Sequence, residues 1–188
     1  MGIEVTAIMD HSCGWESLVE LDAVLTREWR LHESALRQIE AVGPGNDRWR
    51  WSLSPTFSSP AEELFDNGHV DLESPNGFCA TVFRSAVRVW HVTDWQSFLT
   101  SNEVRSPLRA AVERIGQVVH SQTVIYLPDS TFDCSAATDV LDDGGAFSDV
   151  ILWLAGNCGP PAGQFGRVPA ETVDEWDGYY VYKVATVG

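Results

Sequence analysis

Residues 78–128 read FCATVFRSAVRVWHVTDWQSFLTSNEVRSPLRAAVERIGQVVHSQTVIYLP, and this stretch decides the fold class. Phe78 to Val92 is apolar and β-branched, with Arg84-Ser85 as a turn or bulge inside it. Thr93-Asp94-Trp95-Gln96 then has the form of a capping box that opens a short helix to about Leu99. Ser106 suits an N-cap and Pro107 the first position of a second helix. Its apolar stripe is Leu108, Ala111, Val112, Ile115 and Val119, with Arg109, Glu113, Arg114 and Gln117 opposite. Thr123 to Leu127 is a strand, ended by Pro128-Asp129. Strand, two helices and strand span enough chain for a parallel crossover, which is preferred here to an antiparallel return.

On the N-terminal side, Ile3 to Ile8 reads as a strand partly buried on both faces, broken by Asp10, His11, Ser12 and Gly14. Glu16 to Glu40 reads as helix, with room for a break near Thr26, because Leu18, Leu21, Leu25, Trp29, His32, Leu36 and Ile39 recur at three and four residues. Gly43 and Pro44 stop it. Arg48 to Leu53 alternates as a half-buried strand, with Trp49, Trp51 and Leu53 on one side and Arg48 and Arg50 on the other. Residues 54–77 form an irregular, insertion-like stretch with a short helical candidate from Pro60 to Phe65. On the C-terminal side, residues 129–145 are acidic and turn-rich. Phe147 to Leu154 suits a short buried helix slightly better than a strand, and Cys158 to Pro169 is irregular. Tyr179 to Val187 alternates as a last strand. The expected architecture is α+β or α/β: a single globular domain over 1–188, with a mixed sheet and two main helices packed on it.

The 188 residues carry a net charge of −15 and are 44% hydrophobic, with eight Trp and eight Phe to build a core. The acidity argues against a phosphate backbone and against an anionic membrane surface, so neither nucleic acid nor membrane is an expected partner. It suits a basic protein partner. The charge is uneven: residues 1–83 carry −9, residues 84–128 carry +2 and residues 129–188 carry −8. Cys13, Cys79, Cys134 and Cys158 are far apart, with no zinc-ligand spacing. MGIEVTAIMD at the start has neither a basic head nor a long apolar run, and no apolar run of about 18 residues occurs anywhere. A cytoplasmic protein with free thiols and no cofactor is the expectation.

No phosphate-binding glycine loop, HExxH or GxSxG motif occurs. If the strands at 3–8, 87–92 and 123–127 were parallel, their C-terminal ends would share one sheet edge. That edge would gather Asp10, His11 and Ser12, His91 with Asp94, and Asp129 with Ser130 and Asp133. Such a set suits a divalent metal or a general acid and base. Each member also has a plain structural use as a cap or turn residue. Cys13 beside His11 is a weaker nucleophile pair, because Asp10 and Glu16 make its surroundings electronegative. His32 reads as a core histidine, and His120 as a helix-end residue favoured by the dipole.

Three functions follow as expectations. The first is a non-enzymatic, inhibitor-like or immunity-like domain for a basic partner. Its binding carboxylates would lie among Asp129, Asp133, Asp139, Asp142, Asp143 and Asp149. The second is a small metal-dependent or acid–base hydrolase working at the sheet edge through Asp10, His11, His91, Asp94 and Asp129. The third is a structural component of a phage or secretion assembly.

Overall fold

The computed structural model describes residues 3–14, 21–31, 37–41, 49–53, 69–73, 78–129, 136–163 and 178–184. They form eight strands and five helices in an α+β arrangement. The strands are β1 (Glu4–Asp10), β2 (Arg37–Ala41), β3 (Trp49–Leu53), β4 (Val70–Glu73), β5 (Phe78–Val82), β6 (Ala86–Asp94), β7 (Thr123–Pro128) and β8 (Tyr180–Lys183). The helices are α1 (Leu21–Leu31), α2 (Trp95–Thr100), α3 (Asn102–Val118), α4 (Ala136–Asp142) and α5 (Phe147–Asn157).

Six strands make one sheet in the order β4-β5-β6-β1-β7-β8, and every adjacent pair is antiparallel. β2 and β3 pair separately, also antiparallel. The expected parallel crossover from β6 to β7 is thus half right. The two strands run the same way, but β1 lies between them and runs against both. β1 can take that central place because its interior residues, from Val5 to Met9, are all buried.

The alternation of β1 feeds two cores. Val5, Ala7 and Met9 face α1, α2 and α3, packing with Leu21, Leu25, Trp95, Phe98, Leu108 and Ile115. Ile8 faces the other way, into a second core with Ile125, Leu127, Ala137, Leu141, Val150 and Leu154 under α4 and α5. Each such aliphatic side chain, fully buried, contributes roughly 1.5–3 kcal/mol. Five helices in two layers therefore cover the sheet, rather than two main ones.

Several local expectations shift. The Arg84-Ser85 turn closes the β5–β6 hairpin, with Phe83 N donating to Ala86 O at 2.8 Å. The cap of α2 is Asp94, one residue later than a capping box on Thr93 requires. α3 begins a turn earlier than expected, capped by Ser101, and contains Pro107. The buried Arg105 donates to Phe98 O and Leu99 O at 3.0 and 2.7 Å, so it satisfies the end of α2 from the first turns of α3. The long helix expected over 16–40 does not hold: α1 is described to Leu31, and 37–41 is a strand paired with 49–53. The stretch 54–77 contains β4, where Val70 and Leu72 are buried and Asp71 and Glu73 exposed. The Pro60–Phe65 helix, His32, Ser130, Asp133, Cys134 and the end of the last strand lie outside the described residues.

α4 was not expected at all. It ends in a double-glycine motif, where Gly144 N donates to Leu141 O at 3.0 Å and Gly145 N to Val140 O at 2.7 Å. Gly144 has φ +86°, the left-handed conformation a helix stop of this kind requires. α5 follows directly, and its identity as helix rather than strand agrees with the sequence reading.

Candidate functional site

The expected sheet-edge site depends on β1 running parallel to β6 and β7, and it runs antiparallel. Asp10 pairs with Ala86 at one end of β6, whereas Glu4 pairs with Asp94 at the other. A strand of this length separates the two ends by roughly 20 Å, too far for one metal ion or one proton relay. Asp10 and His11 therefore lie apart from Asp94 and Asp129. Among the described residues, no group of three or more His, Cys, Asp or Glu is placed to hold a metal.

Each of the five residues also has a local task. Asp10 Oδ1 accepts from Ser121 Oγ, Gln122 N and Thr123 N at 2.7 to 2.9 Å, which closes the turn from α3 into β7. His11 Nε2 donates to Phe83 O at 2.6 Å, across the β5–β6 turn. Asp94 Oδ2 accepts from Ser97 N and Ser97 Oγ, capping α2. Asp129 Oδ1 accepts from Glu4 N at 2.8 Å, and its Oδ2 from Trp90 Nε1 at 3.2 Å.

His91 sits beside an irregularity in the pairing of β6 with β1. Val5 pairs with His91 but Glu4 pairs with Asp94, so Val92 and Thr93 are extra. Such a bulge leaves ladder groups without their usual partners. The Nδ1 of His91 accepts from Thr93 N at 3.2 Å and from Thr93 Oγ1 at 2.7 Å, and so supplies one. Burial disfavours the imidazolium and lowers its pKa to about 4. A neutral ring is the form that can accept at Nδ1.

One acidic contact was missed in the sequence. Burial, and then the negative charge of Asp129, push the Glu4 carboxyl above its ordinary pKa, and a hydrogen bond from Trp90 opposes the rise. The pair arises at a strand junction, where Asp129 N donates to Glu4 O and Glu4 N donates to the Asp129 side chain, which no local pattern predicts.

The second group of expected residues lies on the helical layer over the other core. Asp139, Asp142, Asp143 and Asp149 are all exposed there, and residues 129–166 contain no lysine, arginine or histidine. Asp149 has a fold-directed role: its Oδ2 accepts from Ala146 N at 2.8 Å at the start of α5. Asp142 and Asp143 are placed differently. They stand at the C-terminal end of α4, where the helix dipole is already negative. Arg88, reaching up from β6, meets Asp142 at 2.9 Å. Asp142 and Asp143 thus stand at the end of α4 and Asp149 in the first turn of α5, with Arg88 paired to Asp142.

No protein-family model matches the chain, and no curated protein or solved structure matches it either.

Proposed function

We propose that this chain is a protein-binding domain for a basic partner, and that the α4–α5 layer is its contact surface. One observation carries the reading. Asp142 and Asp143 lie at the negative end of α4, in a stretch that supplies no positive side chain of its own. Carboxylates at that position cost a helix about 0.3–1 kcal/mol each rather than stabilising it. Clustered with Asp139 and Asp149 they form a field that accelerates encounter with a cationic surface.

The reading includes a reducing, cytoplasmic setting. Cys13 and Cys79 are free thiols, and burial raises the pKa of both, which keeps them protonated. Among the described residues no helix is long and apolar enough to cross a membrane.

The test is capture of partners from source lysate on immobilised protein at 50 mM and 500 mM salt, with a D139N/D142N/D143N variant alongside. The expected result is a basic protein retained at low salt, released at high salt and lost in the variant. Retention that ignores both salt and the substitutions overturns the reading.

A hydrolase at the sheet edge is a second reading, favoured by the raised Glu4 carboxyl beside Asp129 and Trp90. Two neighbouring carboxyls, one of them held above its ordinary range, are a starting point for acid–base work. Hydrolysis of chromogenic esters, phosphates or glycosides that disappears in Glu4→Gln would support it. Equal rates in both proteins would remove it.

A further inference from the structure

We infer that the outer face of α5 docks a cationic amphipathic helix of the partner, seated on Leu152 with Ile151 at its margin and with Asp149 one turn away. This rests on the proposed function and specifies how the partner binds. The exposed large hydrophobics among the described residues are Leu152 at 70%, Ile151 at 40% and Val181 at 39%. All three belong to the same side of the sheet. Ile151 and Leu152 are on α5, and Val181 pairs with Ile125, whose side chain lies in the core beneath that helix.

α5 turns Phe147, Val150 and Leu154 inward. Leu152 therefore points away from the sheet, and its helical neighbours at three and four residues are Ser148, Asp149, Ala155 and Gly156, all exposed. A leucine standing among small and acidic side chains offers an apolar contact with little obstruction beside it. A Cβ added at Gly156 would meet nothing within 4 Å. This is the shape that a second helix fits, since a helix lays apolar residues at three- and four-residue spacing along such a face.

Charge decides what kind of helix. A second copy of this chain would bring its own Asp149, one turn from Leu152, against the same surface. Two chains of −15 also repel at range. A helix with leucines on one face and arginines at its margins covers Leu152 and meets Asp149 with opposite charge, in a stretch that has no basic residue from 129 to 166.

The experiment uses the full chain and two fluorescein-labelled 18-residue peptides of identical composition. One places leucines at i, i+3, i+4 and i+7 with arginines elsewhere. The other has the order scrambled so that no face forms. Binding is read by anisotropy at 50 mM salt, and the protein's mass is measured in solution. The expected result is that the amphipathic peptide binds at least tenfold tighter than the scrambled one. Leu152→Ser should erase that preference while leaving the scrambled peptide's binding and the melting temperature unchanged. Equal affinity for the two peptides, or a preference that Leu152→Ser leaves intact, overturns the docking inference and spares the acidic-surface reading. A Leu152-dependent dimer also overturns it, because the face then serves self-association. Failure of both peptides to bind removes the proposed function along with it.

Discussion

His91 gives the sharpest test, because its role sets a quantitative pH dependence. Its side chain is 1% exposed and its pKa is lowered from 6.5 to about 4 by burial. The unfolded chain takes up the proton first as pH falls. The stability His91 protects is therefore complete above pH 6.5, declines as pH drops through the unfolded value, and is fully lost below about 4. At about 1.4 kcal/mol per pH unit the whole loss is ~3 kcal/mol, of which ~2 kcal/mol accrues by pH 5. Domains are typically stable by about 5–15 kcal/mol, so the effect is large enough to measure. The perturbation is His91→Asn, whose amide oxygen can replace Nδ1 as acceptor for Thr93 N but does not titrate. Urea unfolding at pH 7, 6 and 5 should show wild type losing ~2 kcal/mol more than the variant. Taking the difference removes the carboxylates common to both. Parallel stability curves would refute the bulge role, and so would a His91 NMR resonance titrating near 6.5 in the folded protein. The second measurement needs no variant, so it decides even if His91→Asn fails to fold. It also bears on the hydrolase reading, since a ring that ionises only near pH 4 is a poor general base at neutral pH.

Gly144→Ala should cost ~1 kcal/mol in urea unfolding, from its positive φ. Gly145→Ala should cost more, because a Cβ there would lie 2.6 Å from Val140 O, a backbone atom that cannot move aside alone. Glu4→Gln should raise the melting temperature at pH 7 and lose its advantage as pH falls below about 4. A raised carboxyl pKa means the ionised form is held at a disadvantage in the fold, and the protonated form is not. Arg88→Ala should lower stability by less than ~1 kcal/mol, the ceiling for most exposed pairs. It should also tighten binding of the amphipathic cationic peptide, since it unmasks Asp142; weaker binding would mean Arg88 orders the surface rather than neutralising it.

The sequence patterns that proved legible are those with local causes. The hairpin turn at Arg84-Ser85, the stripe of α3 and the strand at 123–127 follow from period and punctuation, whereas periodicity leaves 147–154 undecided, its flanking glycines favour helix only slightly, and the helix there is buried on one face alone. What stayed hidden depends on distant partners. The run from Val5 to Met9 announces burial on both faces, but nothing in it names β6 and β7 as neighbours or gives its direction. Arg37–Ala41 continues the helical period by coincidence through Ile39, and becomes a strand because 49–53 pairs with it. α4 escaped because a seven-residue helix with two buried side chains, Ala137 and Leu141, shows too little period to separate from a polar loop. The candidate site divides in the same way. Asp139, Asp142, Asp143 and Asp149 share a surface because they are close in sequence, whereas Asp10, His11, His91, Asp94 and Asp129 shared an edge only on an assumed strand direction.

Net charge alone does not locate a function, but the tasks of individual carboxylates separate those the fold uses from those it does not. Asp94 caps α2, Asp149 accepts from the backbone at the start of α5, and Asp10 and Asp129 accept backbone N–H groups at strand junctions. Replacing any of them leaves a donor without its acceptor, so the fold itself accounts for them. Asp142 and Asp143 run the other way. They add negative charge to the negative end of a helix, and a single arginine answers one of them. A coat of charge for solubility would be met as well by carboxylates placed elsewhere, without that local penalty. On the proposed reading they meet a cationic partner outside their own helix, and the exposed Leu152 on α5 would give that partner an apolar anchor.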